Sequence, residues 1–355
     1  MFADLNLGEM TPFFAAFLSA LAIGGLLGWS AQRSRFCLRQ AIVGETLSSR
    51  ANAAGIWAIA LLVALIGSQW LLTQDVVAFE NHLLYADSLP YLAIIVGGVL
   101  FGIGMVLTRG CASRLTVLAA SGNLRALYVV ILFAIVAHAT LKGVLSPARQ
   151  WVTSVTMDAG GPLPQIAAYV IAALALGVIV WSWRLGQIRG ATAIYAAIIG
   201  ALVPLTWGMT GYVLYDDFDV IPLQQISMTL PLTDTLFYTI AASSTQLGFS
   251  VGLILGLIAG ALVASALYRE TQFQSFEDAG QWRRYTVGAV LMGFGAVIAG
   301  GCTLGAALSG LPILSVAGSL TFVSIIAGAK AAALFSETSL LSAKPTTTLS
   351  QQPAE

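Results

Sequence analysis

The chain has 355 residues, of which 58% are hydrophobic and only 9% charged, and its sixteen basic side chains balance sixteen acidic ones. An ordinary soluble domain carries about 25% charged residues, so this composition, with a mean hydropathy of +0.87, excludes that class. The chain reads as an all-α integral membrane protein.

Apolar runs long enough to cross roughly 30 Å of hydrocarbon as helices lie near residues 12–31, 52–73, 90–108, 125–144, 164–184, 192–213, 247–268, 284–300 and 312–334, giving nine expected spans. The flank before the first, Met1 to Met10, holds Asp4 and Glu9 and no Lys or Arg. That is the wrong sign for a cleavable leader, so a retained first span is expected. Four further segments are too apolar for loops and too short to cross: Phe36 to Leu47, Cys111 to Ser121, Asp234 to Thr245 and Cys302 to Leu311. These read as re-entrant hairpins, since non-helical backbone at membrane depth is tolerated only where protein or a water-filled cavity satisfies it. The alternative is surface turns whose glycines serve helix packing. Residues 214–234, with Pro222 and Pro231, read as a long outer connection, and Ser342 to Glu355 as a polar, disordered tail.

Basic residues set the orientation. With the N-terminus outside, the inner connections hold Arg33, Arg35, Arg39, Arg50, Arg109, Arg114, Arg125, Arg184, Arg189, Arg269, Arg283 and Arg284, joined by Lys330 and Lys344. Only Lys142 and Arg149 then lie outside, where Asp75, Glu80, Asp87, Asp158, Asp216, Asp217, Asp219 and Asp234 also fall. The chain is expected to run N-out, C-in.

One segment occurs twice. Residues 97 to 111, GGVLFGIGMVLTRGC, match residues 288 to 302, GAVLMGFGAVIAGGC, with Gly97, Gly102, Gly104, Gly110 and Cys111 recurring as Gly288, Gly293, Gly295, Gly301 and Cys302. In a nine-span chain the first copy belongs to span three and the second to span eight, so the copies run in opposite directions. Inverted repeats of this kind build a central transport site at their interface. The expected organisation is an N-terminal repeat over 1–145, a connector over 146–190, an inverted repeat over 191–335 and a tail over 336–355.

Cys37, Cys111 and Cys302 all fall at or beside the start of a re-entrant segment. Their odd number and wide spacing support neither a disulfide framework nor a thioredoxin-like site. A lone membrane cysteine is commonly a small buried hydrophobe; the shared position of these three argues for more. Thiols suit either a soft metal such as Cu(I) or an anion that carries sulfur. Cys37 lies in Arg33-Ser34-Arg35-Phe36-Cys37-Leu38-Arg39, and Cys111 lies between Arg109 and Arg114. Guanidinium groups repel a cation and pair with the oxygens of an oxyanion, and only two histidines, His82 and His138, are present. Glu45 reads as an ion-pair partner for Arg39, His138 as a packed polar residue, and Lys142 as reaching the interface. No Walker motif is present, and no metal, cofactor or nucleic acid is expected. The candidate path residues are Cys37, Cys111 and Cys302, with Arg35, Arg109, Arg114, Gly110, Gly301 and Thr303.

The S-R-F-C stretch at Ser34 to Cys37 and the Gly-Cys endings at Cys111 and Cys302 resemble the YeeE/YedE family of inner-membrane proteins over nearly the whole chain. The resemblance implies thiosulfate transport through nine spans by pseudo-symmetric halves, with Cys37, Cys111 and Cys302 as stations on the conduction path. It further implies a cytoplasmic partner, a small TusA-like sulfurtransferase. Around Cys111 the chain departs from some relatives: Arg109 and Arg114 stand where those have small residues. Transport of another sulfur or selenium compound, a membrane-embedded persulfide-handling thiol protein, and a channel for neutral solutes are the alternative readings.

Overall fold

A computed structural model of the chain describes residues 11–342, apart from 75, 76, 78, 80, 81, 159, 187, 215–220 and 244. The acidic residues Asp75, Glu80, Asp216, Asp217 and Asp219, together with Lys344 and the tail from 343 onward, lie outside the described residues. Among those described, nine helices are long and apolar enough to cross a membrane, and none of the named elements is a strand. The protein is a multi-pass membrane protein.

The spans are carried by α1 (Pro12–Ser34), α3 (Leu47–Thr73), α4 (Tyr91–Leu107), α6 (Leu124–Leu141), α8 (Ile166–Arg184), α9 (Gly190–Gly208), α11 (Phe249–Leu267), α12 (Ala279–Ile298) and α13 (Val316–Ser342). Between them lie the shorter α2 (Leu38–Val43), α5 (Ala112–Ala120), α7 (Ser146–Thr153) and α10 (Thr229–Ile240), and π-helical turns at Met209–Val213 and Thr303–Gly310. Several spans begin where a side chain closes the free backbone N–H groups of the first turn. Thr11 accepts from Phe14, Thr46 from Ser49, Asn123 from Ala126 and Asp278 from Gln281, and Pro12 supplies a first-turn residue that needs no donor.

Helix directions follow from which small residues meet. On α1 and α11, Gly24 faces Leu253 and Gly28 faces Leu257, so the two run parallel. Gly67 of α3 receives the ring of Pro204 from α9, while Gly200 faces Ala60, again in parallel. On α4 and α12 the order reverses: a Cβ on Gly104 would fall 2.5 Å from the Gly288 carbonyl oxygen, and one on Gly295 would fall 2.6 Å from that of Gly97. These directions are those required of spans one with seven, two with six and three with eight in an unbroken nine-span chain. With no apolar driving force between helices in lipid, such backbone approach is what holds them.

The short elements after α4 and α12 coincide with the expected segments: Cys111 and Ser121 flank α5, and Cys302 and Leu311 flank the turn at Thr303–Gly310. The third expectation is corrected. The re-entrant hairpin read over Asp234 to Thr245 overlaps α10, which runs from Thr229 to Ile240. Pro231, read as part of a loop, lies in its first turn, where a missing N–H costs nothing. The amphipathic α7 was not anticipated.

Candidate functional site

Three cysteines are presented by one backbone device. At the end of α4, Arg109 N donates to Val106 O at 3.2 Å and Gly110 N reaches back to Met105 O at 3.1 Å. At the end of α12, Gly300 N donates to Val297 O at 3.2 Å and Gly301 N to Ala296 O at 2.9 Å. After α1, Arg35 N donates to Gln32 O at 3.4 Å and Phe36 N to Ala31 O at 3.2 Å. Each is a Schellman closure, in which one left-handed residue satisfies the last carbonyls of the helix. That residue is Arg35 (φ 53°), Arg109 (φ 59°) or Gly300 (φ 75°), one position before Phe36, Gly110 and Gly301. The glycines of the Gly-Cys pairs therefore do not carry the unusual backbone.

Two residues after each left-handed turn stands a cysteine that opens the next helical segment. Cys37 O accepts from Ala41 N at 3.4 Å, Cys111 O from Leu115 N at 2.9 Å and Cys302 O from Ala306 N at 2.8 Å. All three are free and buried. Stacking of Phe36 on Trp57, with ring centroids 4.5 Å apart, fixes the first of these turns to α3.

The three sites converge. Cys37 and Cys111 are neighbours, and Thr303, adjacent to Cys302, lies near the Cys111 thiol. The Thr303 contact is not a well-formed hydrogen bond, for its hydroxyl is buried without a partner. Cys111 Sγ also lies 3.3 Å from Ser113 Oγ. Cys302 Sγ accepts from the backbone N–H of Met228 at 3.3 Å and has Ser227 Oγ at 3.8 Å. The segment before α10 is held in place by Ser309 Oγ, which donates to Ile226 O at 3.0 Å. Ser227 and Met228 were missed in the sequence, because their nearness to Cys302 arises only from folding. Thr229 Oγ1 and Gln225 Oε1 are likewise buried and unpartnered, and buried polar groups left unpaired call for an explanation such as a water or a ligand.

The arginines divide. Arg114 stands in the first turn of α5, three residues after Cys111, and lines a cavity with Arg35 and Glu270, and its Nη1 is buried with no hydrogen-bond partner. Arg35 is exposed and lines the same cavity as Arg114, whereas the exposed Arg109 lines an adjoining, smaller cavity with Arg125 and Tyr285. The two cavities share Leu118, Asn123 and Gln274 in their walls, and no cysteine lines either. Among the described residues no cluster of three His, Cys, Asp or Glu side chains is placed to hold a metal. Glu45 is exposed and no ion pair joins it to Arg39 among the described residues, His138 stacks on Phe237 at 5.1 Å, and Lys142 lines a cavity with Asp234 and Phe237.

A buried cluster of soft sulfur, unpaired hydroxyls and one guanidinium can strip water from a small anion and bind it weakly at several points, as conduction requires. The family model described as sulphur transport matches residues 33–331. The chain is 25% identical over 344 residues to a thiosulfate transporter, TsuA, of Escherichia coli (strain K12), covering 89% of this chain and 93% of that protein. It is 28% identical over 334 residues to a protein of the same name from Spirochaeta thermophila, covering 87% and 96% respectively.

Proposed function

The chain belongs to the sulphur transport family, and from that premise we propose that it takes up thiosulfate, or a closely related sulfur-containing anion, across the bacterial inner membrane. It acts as a transporter and not as an enzyme. The observation that supports this reading is that three buried cysteines each open a short helical segment two residues after the same left-handed helix end. Cys302, Cys111 and Cys37 serve as successive contacts for the terminal sulfur, with Thr303 and Arg114 taking the oxygens. Gly110 and Gly301 allow the chain to turn into the path, and Arg35 and Arg109 contribute positive potential at the mouth.

The N-terminus lies outside and the arginine-rich ends of α1, α4 and α11 face the cytoplasm, in keeping with the positive-inside rule. Spans one to four and six to nine form two inverted copies joined by span five, with boundaries near residues 145, 190 and 335. The pairings support this: exchanging the copies turns the α1–α11 contact into α9–α3 and leaves α4–α12 unchanged. A small TusA-like sulfurtransferase receives the anion on the cytoplasmic side.

Growth on thiosulfate as the sole sulfur source, in a strain lacking its own uptake systems, tests the function. Rescue by the native chain and failure of well-expressed Cys37→Ala, Cys111→Ala and Cys302→Ala are expected. Failure of a well-inserted native chain would sink the thiosulfate assignment, and rescue by all three variants would sink the thiol path.

The nearness of Cys37 to Cys111 favours one second reading, persulfide transfer. A thiolate would attack the terminal sulfur of thiosulfate, the sulfur–sulfur bond would break, and sulfite would leave, with the second thiol positioned to take the sulfane sulfur. Intact-protein mass spectrometry after exposure to thiosulfate separates the two, since only the second predicts a gain of one sulfur atom.

A further inference from the structure

A cavity of about 430 Å³ lies at the arginine-rich mouth, lined by Arg35, Arg114 and Arg269 together with Gln32, Gln40 and Glu270, and no cysteine lines it. Each water occupies about 30 Å³ of liquid, so a small dianion fits with several waters. Its far wall is the segment after α11, tied to the α5–α6 turn where Gln272 N donates to Ser121 O at 3.1 Å and Leu124 N to Gln274 O at 2.9 Å. The wall is built, not draped.

Charge inside it is uneven. Glu270 faces three arginines, yet its oxygens are already engaged by Gln32 Nε2 at 3.0 Å and Arg33 Nη1 at 3.3 Å. Arg33 is further fixed by its guanidinium lying 3.6 Å from the centre of the Tyr268 ring. Among the described residues no carboxylate pairs with Arg35, Arg114 or Arg269 within 4 Å, and Arg114 Nη1 is buried with nothing to donate to. Arg269 also occupies a left-handed helix end, φ 54°, where glycine would be the cheaper residue.

We propose that this vestibule is a second anion site, in which Arg114, Arg269 and the neighbouring amides hold a tetrahedral dianion by its oxygens alone. With no thiol in its wall it does not read the terminal sulfur, and sulfate occupies it as thiosulfate does. Arg114 serves both this site and the thiols, so a dianion seated here obstructs the next one leaving them. Sulfate on the cytoplasmic side therefore slows thiosulfate entry. The inference rests on the proposed transport of a sulfur oxyanion.

Right-side-out membrane vesicles loaded with sodium sulfate, or with sodium chloride at equal ionic strength, test it through initial rates of radiolabelled thiosulfate entry. Each variant is compared with its own sulfate-free rate. Internal sulfate is expected to slow the native chain several-fold and to slow Arg269→Gln far less. No slowing of the native chain, or equal slowing of both, overturns the second site. A native chain that carries no thiosulfate in either vesicle overturns the transport reading instead. Binding of radiolabelled sulfate to the purified native chain, weakened in Arg269→Gln, would then still support the site, and absence of binding would overturn it.

Discussion

Arg109 and Gly300 hold the same left-handed turn, at φ 59° and 75°, at the ends of two helices packed antiparallel through Gly97, Gly104, Gly288 and Gly295. An L-residue with a side chain pays about 1 kcal/mol to sit there, and glycine does not. Arg109→Gly should therefore raise stability by about 0.5–1 kcal/mol, and Gly300→Ala should lower it by a similar amount even though a Cβ at Gly300 meets nothing within 4 Å. Thermal unfolding of the two purified variants in detergent checks both signs; equal shifts in one direction would remove the backbone explanation.

Thr303 separates stability from transport. Its hydroxyl is buried and unpaired, a condition that costs about 1–3 kcal/mol, so Thr303→Val should leave the protein as stable as native or more so. Thiosulfate uptake should nevertheless fall, by about tenfold for each 1.4 kcal/mol of anion binding that the hydroxyl supplies on the path. A stable variant with native uptake would take Thr303 out of the site.

Close helix approach makes Gly104 and Gly177 unequal. A Cβ at Gly104 would meet the Gly288 carbonyl oxygen at 2.5 Å and the Met292 backbone N at 2.8 Å, whereas at Gly177 there is nothing within 4 Å. Gly104→Leu is expected to cost more than the roughly 1–3 kcal/mol typical of overpacking, because backbone and not a flexible side chain must yield. Fluorescence-detected size exclusion should show Gly177→Leu monodisperse and Gly104→Leu aggregated or absent.

His82 gives the stability a pH dependence. It lies between α3 and α4, edge-on to Trp207 at 5.2 Å, and its Nδ1 accepts from Leu84 N at 3.2 Å. Burial lowers its pKa from 6.5 to about 4. The unfolded chain then binds the proton more readily than the folded one between those values. Stability from this group is full above about pH 6.5, declines as pH falls, and is lost by about pH 4, a total on the order of 3 kcal/mol at 1.36 kcal/mol per unit. Unfolding midpoints of native protein and His82→Gln between about pH 7 and 4.5 should diverge in slope, with the variant flatter.

The spans and the segments after Cys111 and Cys302 were legible because their signals are local: a hydrophobic length, then a break at small residues. The boundaries of α5 and of the Thr303–Gly310 turn fall within a residue of expectation for that reason. The start of α10 was not legible, since Pro231 in a first helical turn looks the same as Pro231 in a loop until the fold is known. Ser227 and Met228 became site residues through a contact with Cys302 some seventy positions away. Arg109 was read beside Cys111 by adjacency in sequence, and it lines a cavity whose wall holds no cysteine.

The α4–α12 seam is isologous: Gly97 meets Gly295 while Gly104 meets Gly288, so each helix offers the other the same surface. A seam of that kind has no front or back. What distinguishes its two ends must be written in side chains, and at the fixed spacing of the two copies Arg109 stands opposite Gly300 and Arg114 opposite Gly305. Two arginines at one end of the seam thus have, as their counterparts at the other, glycines with no side chain at all.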